Sequence, residues 1–400
     1  MTSSFEQAIQ CLSHAYNKAS MPTWTIAAVV LSIAVLLYKL RPSATRSHKA
    51  TAMEGSSLAI PDASSAITAP PPGQVKVSKI LIHPIKSCRG ISVQTAEYTP
   101  EGLKNDRLWC IIDAVKVLVL TAREIPKMVL ITSSIEPDGT LKVKFPEGSG
   151  CEEFSIPLNP TEDILKTWSI LPKVTLWPTH DPVDGYICEP NAGPKDGASI
   201  ILSKYFEKPV HLIYKGPQPR PIDPTTAFPE LKATAKYQDM YPLLILSEES
   251  TAAIDMQLRG HVGTQGIDER WKEDKVPIER FLPFLFNAKI AQNSWNHRFR
   301  PNIVLSGGGP FAEDHWEEIK IGSEDAPLLT LVSKCTRCLL PNVSPETGER
   351  DKAVPYKVIM KFRTGLDPTE KMKPCVGCNA VPDGHGIVNV GDWVYVKKMI

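Results

Sequence analysis

From Val75 to the C-terminus the chain is written in short runs of Val, Ile and Leu broken by turn residues. That pattern leaves little room for anything but a barrel or a sandwich. The runs are Val75–Ile82, Leu108–Ile112, Val117–Leu120, Met128–Thr132, Leu141–Phe145 and Val174–Trp177, then Ile303–Ser306, Leu328–Ser333, Val358–Phe362 and Ile387–Val396. Helical candidates are few. One is Ala198–Phe206; another is Ser247–Leu258, with Ser247 as N-cap and Gly260 just past its end. The 36 prolines suit many turns and edge strands. The expectation is an α+β, mostly β fold in two domains, 75–216 and 217–400, parted at Gly216-Pro217-Gln218-Pro219-Arg220-Pro221. No internal repeat is visible.

The first 74 residues read as an address. A polar tail, 1–22, precedes an uncharged apolar run with Trp24 and Tyr38 at its ends. Such placement suits an aromatic belt, and as a helix the run spans roughly 24 Å at 1.5 Å per residue. It predicts a transmembrane anchor over 23–40 of a length suited to a thin bilayer. Lys39, Arg41, Arg46 and Lys49 follow it, against Lys18 alone before it. The positive-inside rule then puts the C-terminal bulk in the cytosol. Residues 41–74, rich in Ser, Ala, Thr and Pro, cannot bury a core and read as a disordered linker.

Lys plus Arg number 45 and Asp plus Glu 44, so no global basic field exists and a nucleic-acid partner is disfavoured. Nine cysteines, an odd count, argue against a disulfide framework and for a reducing compartment. Cys335-Thr336-Arg337-Cys338 and Cys375-Val376-Gly377-Cys378 form two C-x-x-C pairs. Four thiolates at such spacing suit a zinc site. A second reading is one working thiolate, Cys338, favoured by the charge of Arg337 and fit to bind a transition metal beside an anionic cofactor. A third is that Cys375 and Cys378 are small buried residues.

Several polar clusters flank the strands: Lys86-Ser87-Cys88-Arg89-Gly90, Asn105-Asp106-Arg107, Thr121-Ala122-Arg123 and Arg300-Pro301-Asn302. Each alone is an ordinary solvated turn. Converging in space, their guanidinium forks and backbone amides would suit a phosphate. Residues 282–299 stand out, because Arg280-Phe281 recurs as Arg298-Phe299. Deleting them joins Ile278-Glu279-Arg280-Phe281 to Arg300-Pro301-Asn302-Ile303. The segment is either a loop insertion or an unspliced intron, and sequencing the transcript across the junction decides.

The stretch from Cys335-Thr336-Arg337-Cys338 to Val343-Ser344-Pro345-Glu346-Thr347-Gly348 resembles the signature of the MOSC domain. It is especially similar to the form C-S-R-C-x-x-x-x-V-D-P-x-T-G of the amidoxime-reducing component family. Further matches follow the family's order: His83–Gly90 resembles Y-P-[VI]-K-S-C-[KR]-G, Asp106-Arg107 with Trp109 resembles D-R-x-W, and Thr121-Ala122-Arg123 resembles T-A-R. Pro242–Glu248 resembles P-F-L-I-L-S-E, Arg300–Val304 resembles R-P-N-I-V, and Val390–Tyr395 resembles the closing V-G-D-x-V-Y. The likeness spans about 75–396.

The resemblance implies a MOSC N-terminal β-barrel-like domain plus a MOSC β-barrel domain, carrying the molybdenum cofactor (Mo-molybdopterin). Cys338 would be the catalytic residue and the thiolate on molybdenum. Lys86, Ser87 and Arg107 would bind the cofactor from the N-terminal side, and Arg300, Asn302, Thr336 and Arg337 from the MOSC side. The implied reaction is two-electron reduction of amidoximes, hydroxylamines and N-oxides. NADH-cytochrome b5 reductase and cytochrome b5 would supply the electrons. The implied place is the mitochondrial outer membrane, single-pass, with the endoplasmic reticulum as the alternative. Pyridoxal phosphate binding belongs to the wider family, whose large domain for it has no room here. The chain departs from the pattern at Met240 and Tyr241, where small hydroxyl residues are usual, at Asn379 in place of a tyrosine, and at Ser344 in place of an acid. Two other readings remain: a MOSC cofactor or sulfur carrier holding a persulfide on Cys338, and a zinc-clamped scaffold.

Overall fold

In Lys76–Ile82 the residues Val77, Ile80, Leu81 and Ile82 are buried, and this strand lies within an eight-stranded sheet. The strand order is Ile91–Val93, Lys76–Ile82, Ile303–Ser306, Leu243–Ser247, Cys375–Pro382, Leu329–Thr336, Trp316–Ile321 and Val394–Met399. These data come from a computed structural model that describes residues 68–177, 181–188, 197–272 and 296–400. Neighbouring strands are antiparallel, except that Leu243–Ser247 runs parallel to Ile303–Ser306. The sheet curls back on itself. Lys76 bridges Trp393, the Val77 amide donates to the Asp392 carbonyl at 2.8 Å, and the Val394 amide to Val75 at 2.9 Å. Val75, Val77, Ile245, Ile303, Trp316 and Leu331 fill its core. Closure of this kind satisfies backbone groups that an open edge would leave bare.

A second core gathers around Trp109, Met128, Leu141, Leu202 and Leu212. It is built on an antiparallel sheet ordered Ile170–Val174, Val183–Ile187, Val210–Lys215, Trp109–Asp113, Leu118–Val119, with a smaller sheet of Thr132–Ile135, Thr140–Lys144 and Phe154–Pro157. Helix Ala198–Phe206 lies over it, burying Ile201, Leu202, Tyr205 and Phe206 at the i, i+1, i+4, i+5 spacing of one helical face. Its bounds are those expected from sequence. Lys76–Ile82 and Ile91–Val93 lie in the closed sheet, Thr95–Thr99 and Gly102–Leu103 pair with Gly386–Asn389 in a small separate sheet, and the chain rejoins the closed sheet at Leu243; the loops between these elements carry the site.

Several local expectations are corrected. Val358–Phe362, expected as a strand, is replaced by helix Tyr356–Ile359, which buries Val358 and Ile359 beside Ile254 and Val376. A short apolar run carries no period able to separate the two. Met128–Thr132 is largely a 3₁₀ turn, Pro126–Leu130, with proline opening it. The run 387–396 is two strands, Gly386–Asn389 and Val394–Met399, parted at Gly391, whose φ of 99° turns the chain. The strand expected at Val174–Trp177 has its regular part earlier, at Ile170–Val174. Helix Glu248–Arg259 follows Ser247 as expected, but the Ser247 hydroxyl turns to Glu313 instead of capping.

Cys375–Pro382 carried no strand expectation, yet all eight of its residues are buried at the centre of the closed sheet. At Gly377, with φ 75°, a Cβ would sit 2.7 Å from the Ile245 carbonyl oxygen, so only glycine lets the neighbouring strand approach. Among the described residues no helix is long and apolar enough to cross a membrane. The expected tail, 1–22, anchor, 23–40, and linker up to residue 67 lie outside the described residues, as do 282–295 of the unusual segment. Residues 296–299 are helical.

Candidate cofactor site

The loop after Lys76–Ile82 and the loop after Gly102–Leu103 run side by side. The Arg107 amide donates to the His83 carbonyl at 2.8 Å, the Trp109 amide to Pro84 at 3.0 Å, and the Lys86 amide to Trp109 at 2.8 Å. The buried Asp106 ties them together, accepting from the His83 amide at 2.7 Å and from Arg107 Nη1 at 2.5 Å. Burial pushes the Asp106 carboxyl up, but Arg107 and the His83 contacts outweigh it and hold the group well below the usual carboxylate range. Ser87 and Arg107 take left-handed backbone here, with φ of 69° and 49°. Such positions cost about 1–3 kcal/mol for non-glycine residues and persist where surroundings enforce them.

The start of Ile303–Ser306 brings the third piece. Arg300 is also left-handed, at φ 59°, and its Nη1 donates to the Cys88 carbonyl at 2.7 Å. Burial, followed by the nearby Arg107 charge, lowers the Arg300 guanidinium to about 10. Asn302 is buried and uses both ends of its amide. Its Oδ1 accepts from the Leu244 amide and from Arg107 Nη1, each at 3.2 Å, and its Nδ2 donates to Leu81 at 3.3 Å.

The fourth piece is the end of strand Leu329–Thr336. Arg337 is buried, with Nη2 donating to Phe299 at 2.7 Å and Nη1 to the Cys335 sulfur at 3.0 Å. Burial pushes the Cys335 thiol up, against the pull of Arg337. Thr336 Oγ1 donates to Glu370 Oε2 at 2.6 Å. Cys338 is half-buried, and the Leu340 amide donates to its sulfur at 3.4 Å.

Lys86, Ser87, Arg107, Arg300, Asn302, Thr336, Arg337 and Cys338 all line one cavity of about 110 Å³. Local sequence reading missed Gln238, Asp239, Phe299 and Leu340, which share it. Asp239 is the important omission. It pairs with Lys86, whose Nζ also donates to the Tyr237 carbonyl at 2.8 Å. Burial lowers the Lys86 ammonium, and Lys86 holds Asp239 down to about 2 against the upward push of burial. No motif marked this residue, which directly precedes the Met240–Tyr241 departure. Arg89 and Arg123 do not line the cavity; Arg123 stacks on Trp177 at 4.1 Å, a ring that Lys86 Nζ approaches at 5.6 Å. Asn379 does line it, its Nδ2 donating to Ser333 Oγ at 3.0 Å.

The paired thiols do not close a tetrahedron. Cys375 and Cys378 are buried in the central strand, and the Cys378 sulfur donates to the Glu313 carbonyl at 3.2 Å. Among the described residues no group of three or more His, Cys, Asp or Glu is placed to hold a metal ion. The zinc reading therefore lacks its ligand set.

Residues 74–187 match the MOSC N-terminal beta barrel domain and residues 232–395 the MOSC domain. Over 331 residues the chain is 30% identical to mitochondrial amidoxime-reducing component 1 of Mus musculus, covering 80% of this chain and 82% of that protein. The chain belongs to the mitochondrial amidoxime-reducing component family of MOSC proteins. Component 1 of Homo sapiens is likewise 30% identical over 336 residues, covering 80% and 82% of the two chains. Component 1 of Danio rerio is 28% identical over 328 residues, covering 80% and 84%.

The residues of this family member fit the molybdenum cofactor that the resemblance implies. Four cations, Lys86, Arg107, Arg300 and Arg337, face one carboxylate, Asp239, in the cavity wall. Among the described residues Arg300 Nη2 and Arg337 Nε are buried donors without a hydrogen-bond partner. Donors left so cost about 1–3 kcal/mol each unless a ligand meets them. An anionic group with phosphate oxygens would meet them, and the half-buried Cys338 thiol offers a soft ligand beside it.

Proposed function

We propose that this chain is a molybdenum-cofactor-dependent reductase of N-hydroxylated compounds. The observation that supports this most is the convergence of the Cys338 thiol with four buried or half-buried cations on one cavity. In this reading Cys338 is the thiolate ligand of molybdenum. Lys86, Ser87 and Arg107 hold the cofactor from one side, with Arg300, Asn302, Thr336 and Arg337 on the other. The bound cofactor supplies two-electron redox chemistry. The cations arrive already oriented: Asp106 fixes Arg107, Cys88 and Phe299 carbonyls fix Arg300 and Arg337, and Asp239 fixes Lys86. Little reorganisation is then left for binding.

The net reaction converts an amidoxime, two electrons and two protons into an amidine and water, with the N–O bond breaking. Electrons come from NADH through cytochrome b5 reductase and cytochrome b5. The relatives' names support a mitochondrial place, and the apolar run at 23–40 supports anchoring in the outer membrane, with the endoplasmic reticulum as the alternative.

The test is elemental mass spectrometry on the full chain purified from a host that makes molybdenum cofactor, with reduction of a model amidoxime assayed beside it. Molybdenum near one per chain and activity lost in Cys338→Ala support the reading. Zinc in place of molybdenum overturns it. Cyanide-labile sulfur on Cys338 with no reduction overturns it in favour of a sulfur carrier.

A further inference from the structure

Residues 352–374 wrap over the end of the strand that delivers Cys338. The Arg337 amide donates to the Pro374 carbonyl at 2.8 Å, and Thr336 Oγ1 donates to Glu370 Oε2 at 2.6 Å. The Gly365 amide donates to Lys371 at 2.8 Å and the Cys375 amide to Arg363 at 2.9 Å, which closes the segment into one loop. Its outer side is basic. Lys352, Lys357, Lys361, Lys371 and Lys373 are exposed, and of these five only Lys373 has an ion pair among the described residues, with Glu370. Arg363, the remaining cation, is buried and paired with Asp314. Lys357 and Lys361 stand one helical turn apart, held by the Met360 amide on Tyr356 at 3.0 Å and the Lys361 amide on Val358 at 3.1 Å. The two carboxylates of the segment turn inward: Glu370 meets Thr336, and Asp367 Oδ1 accepts from the Thr369 and Glu370 amides at 2.9 and 2.8 Å. The whole chain carries a formal charge of only +1, so this concentration of cations is local. Apolar side chains are set among the lysines. Met360 is 36% exposed, Met372 78%, and Leu339, next to Cys338, 46%. Met372 lies two residues from Pro374, at most about 7 Å along the chain. None of the five lysines lines the cofactor cavity.

We propose that this basic face, 352–373 with Leu339 at its border, is where an acidic one-electron carrier protein docks. The inference rests on the reductase reading and deepens it by placing the entry of electrons. Each encounter passes one electron and leaves the carrier oxidised. Two reduced carriers, one amidoxime and two protons give two oxidised carriers, one amidine and one water. The face must therefore bind, release and bind again within a turnover. Charge on long, flexible lysines suits that traffic, because it speeds encounter more than it tightens the complex. Exposed methionines adapt to a partner's surface. Electron-transfer encounters are the small, weak class of interface, and a patch carried by one loop matches that size. Position adds to charge: the loop is hydrogen-bonded to Thr336 and Arg337, the two residues before Cys338. An anionic membrane would attract the same lysines. Lying in a bilayer surface calls for exposed rings or a leucine stripe, whereas Phe362 of this segment is half-buried against Phe311, with ring centroids 6.0 Å apart.

Cytochrome b5, an acidic haem protein, is the probe. The full-length, cofactor-loaded chain is mixed with reduced cytochrome b5 and excess benzamidoxime, and haem oxidation is followed by stopped flow as ionic strength rises. The wild-type second-order rate constant is expected to fall steeply with salt. The triple variant Lys357→Glu, Lys361→Glu, Lys371→Glu should be slower by at least about tenfold at low salt and should lose that salt dependence. A control triple variant, Lys104→Glu, Lys166→Glu, Lys397→Glu, makes the same change in net charge at exposed sites on other segments. It should stay within about twofold of wild type, because charges beyond a Debye length are screened. Both variants should keep wild-type turnover of benzamidoxime with reduced methyl viologen, a small donor that needs no docking face. Equal slowing of the two variants by cytochrome b5, or an unchanged rate in the first, overturns the proposal. So does loss of binding to phosphatidylserine vesicles in the first variant with its haem oxidation rate intact, which would make the face a membrane contact. Failure of the reductase reading looks different: the wild-type chain itself would lack molybdenum or leave benzamidoxime unreduced with methyl viologen, and the proposal would fall with it.

Discussion

Arg107 and Arg300, 193 residues apart, meet where the two halves of the chain join: Arg107 Nη2 donates to the Arg300 carbonyl at 3.3 Å. Both residues hold left-handed backbone, at φ 49° and 59°. Two like-charged side chains are thereby brought to one cavity by backbone that neither would adopt alone. The Asp106 carboxylate offsets part of the repulsion, being paired with Arg107. The residual charge is what an anionic ligand would neutralise.

Asn302 is the hinge of this junction, and Asn302→Ala should show it. Removing the amide leaves the Leu244 amide and the Leu81 carbonyl without their side-chain partner and loosens Arg107. The expected loss is about 1–3 kcal/mol of unfolding free energy. Urea denaturation followed by circular dichroism measures it, and a change within 0.5 kcal/mol or so of wild type would refute the hinge role.

Arg300→Lys keeps the charge but removes the unpartnered Nη2. A lysine cannot present two donors in a fork, so cofactor retention should fall several-fold while far-UV circular dichroism stays native. The same logic predicts that cofactor-loaded protein melts higher than cofactor-free protein, since only the folded state offers the assembled cavity. Identical melting of the two forms would mean that the cavity does not hold the cofactor.

The two C-x-x-C pairs should behave differently. Cys338→Ala is expected to abolish amidoxime reduction with little effect on stability, because the side chain is half-buried and makes one weak contact. Cys378→Ala should cost about 1 kcal/mol of stability through lost packing, with molybdenum content kept. If Cys378→Ala instead emptied the metal site without destabilising the fold, the thiols would share a ligand set after all.

A buried carboxyl behind the closed sheet gives a pH prediction. Glu313 meets the hydroxyls of Ser247 and Ser250, and burial, then the nearby Asp314 charge, raises its carboxyl to about 7. The folded protein thus keeps this proton between about 4.5 and 7, where the unfolded chain has lost it. Over that window the group makes stability fall as pH rises. Glu313→Gln should remove this component, so the wild-type minus variant difference in unfolding free energy should decline between pH 5 and about 7 and then level off. A flat difference across that range would exclude a raised Glu313.

Much of the fold was open to local pattern. Helix Ala198–Phe206 follows from one apolar face, and Lys76–Ile82 and Ile303–Ser306 from runs bounded by turns, because propensity and period act within a few residues. The site residues were nameable from motif resemblance, since Lys86, Arg107, Arg300 and Cys338 each sit in a short recognisable string. Their meeting was not nameable. It depends on crossings between sheets, on left-handed backbone at three of the eight positions, and on Asp239, whose partner Lys86 lies 153 residues away. Cys375–Pro382 shows the same limit. A strand buried on both faces has no alternation to read, and its cysteines look like metal ligands until the neighbouring strands are in place. Pattern reports only what a residue's nearest chain neighbours impose. Which distant groups share a cavity is set by packing and closure of the sheet, and these exist only once the whole chain has folded.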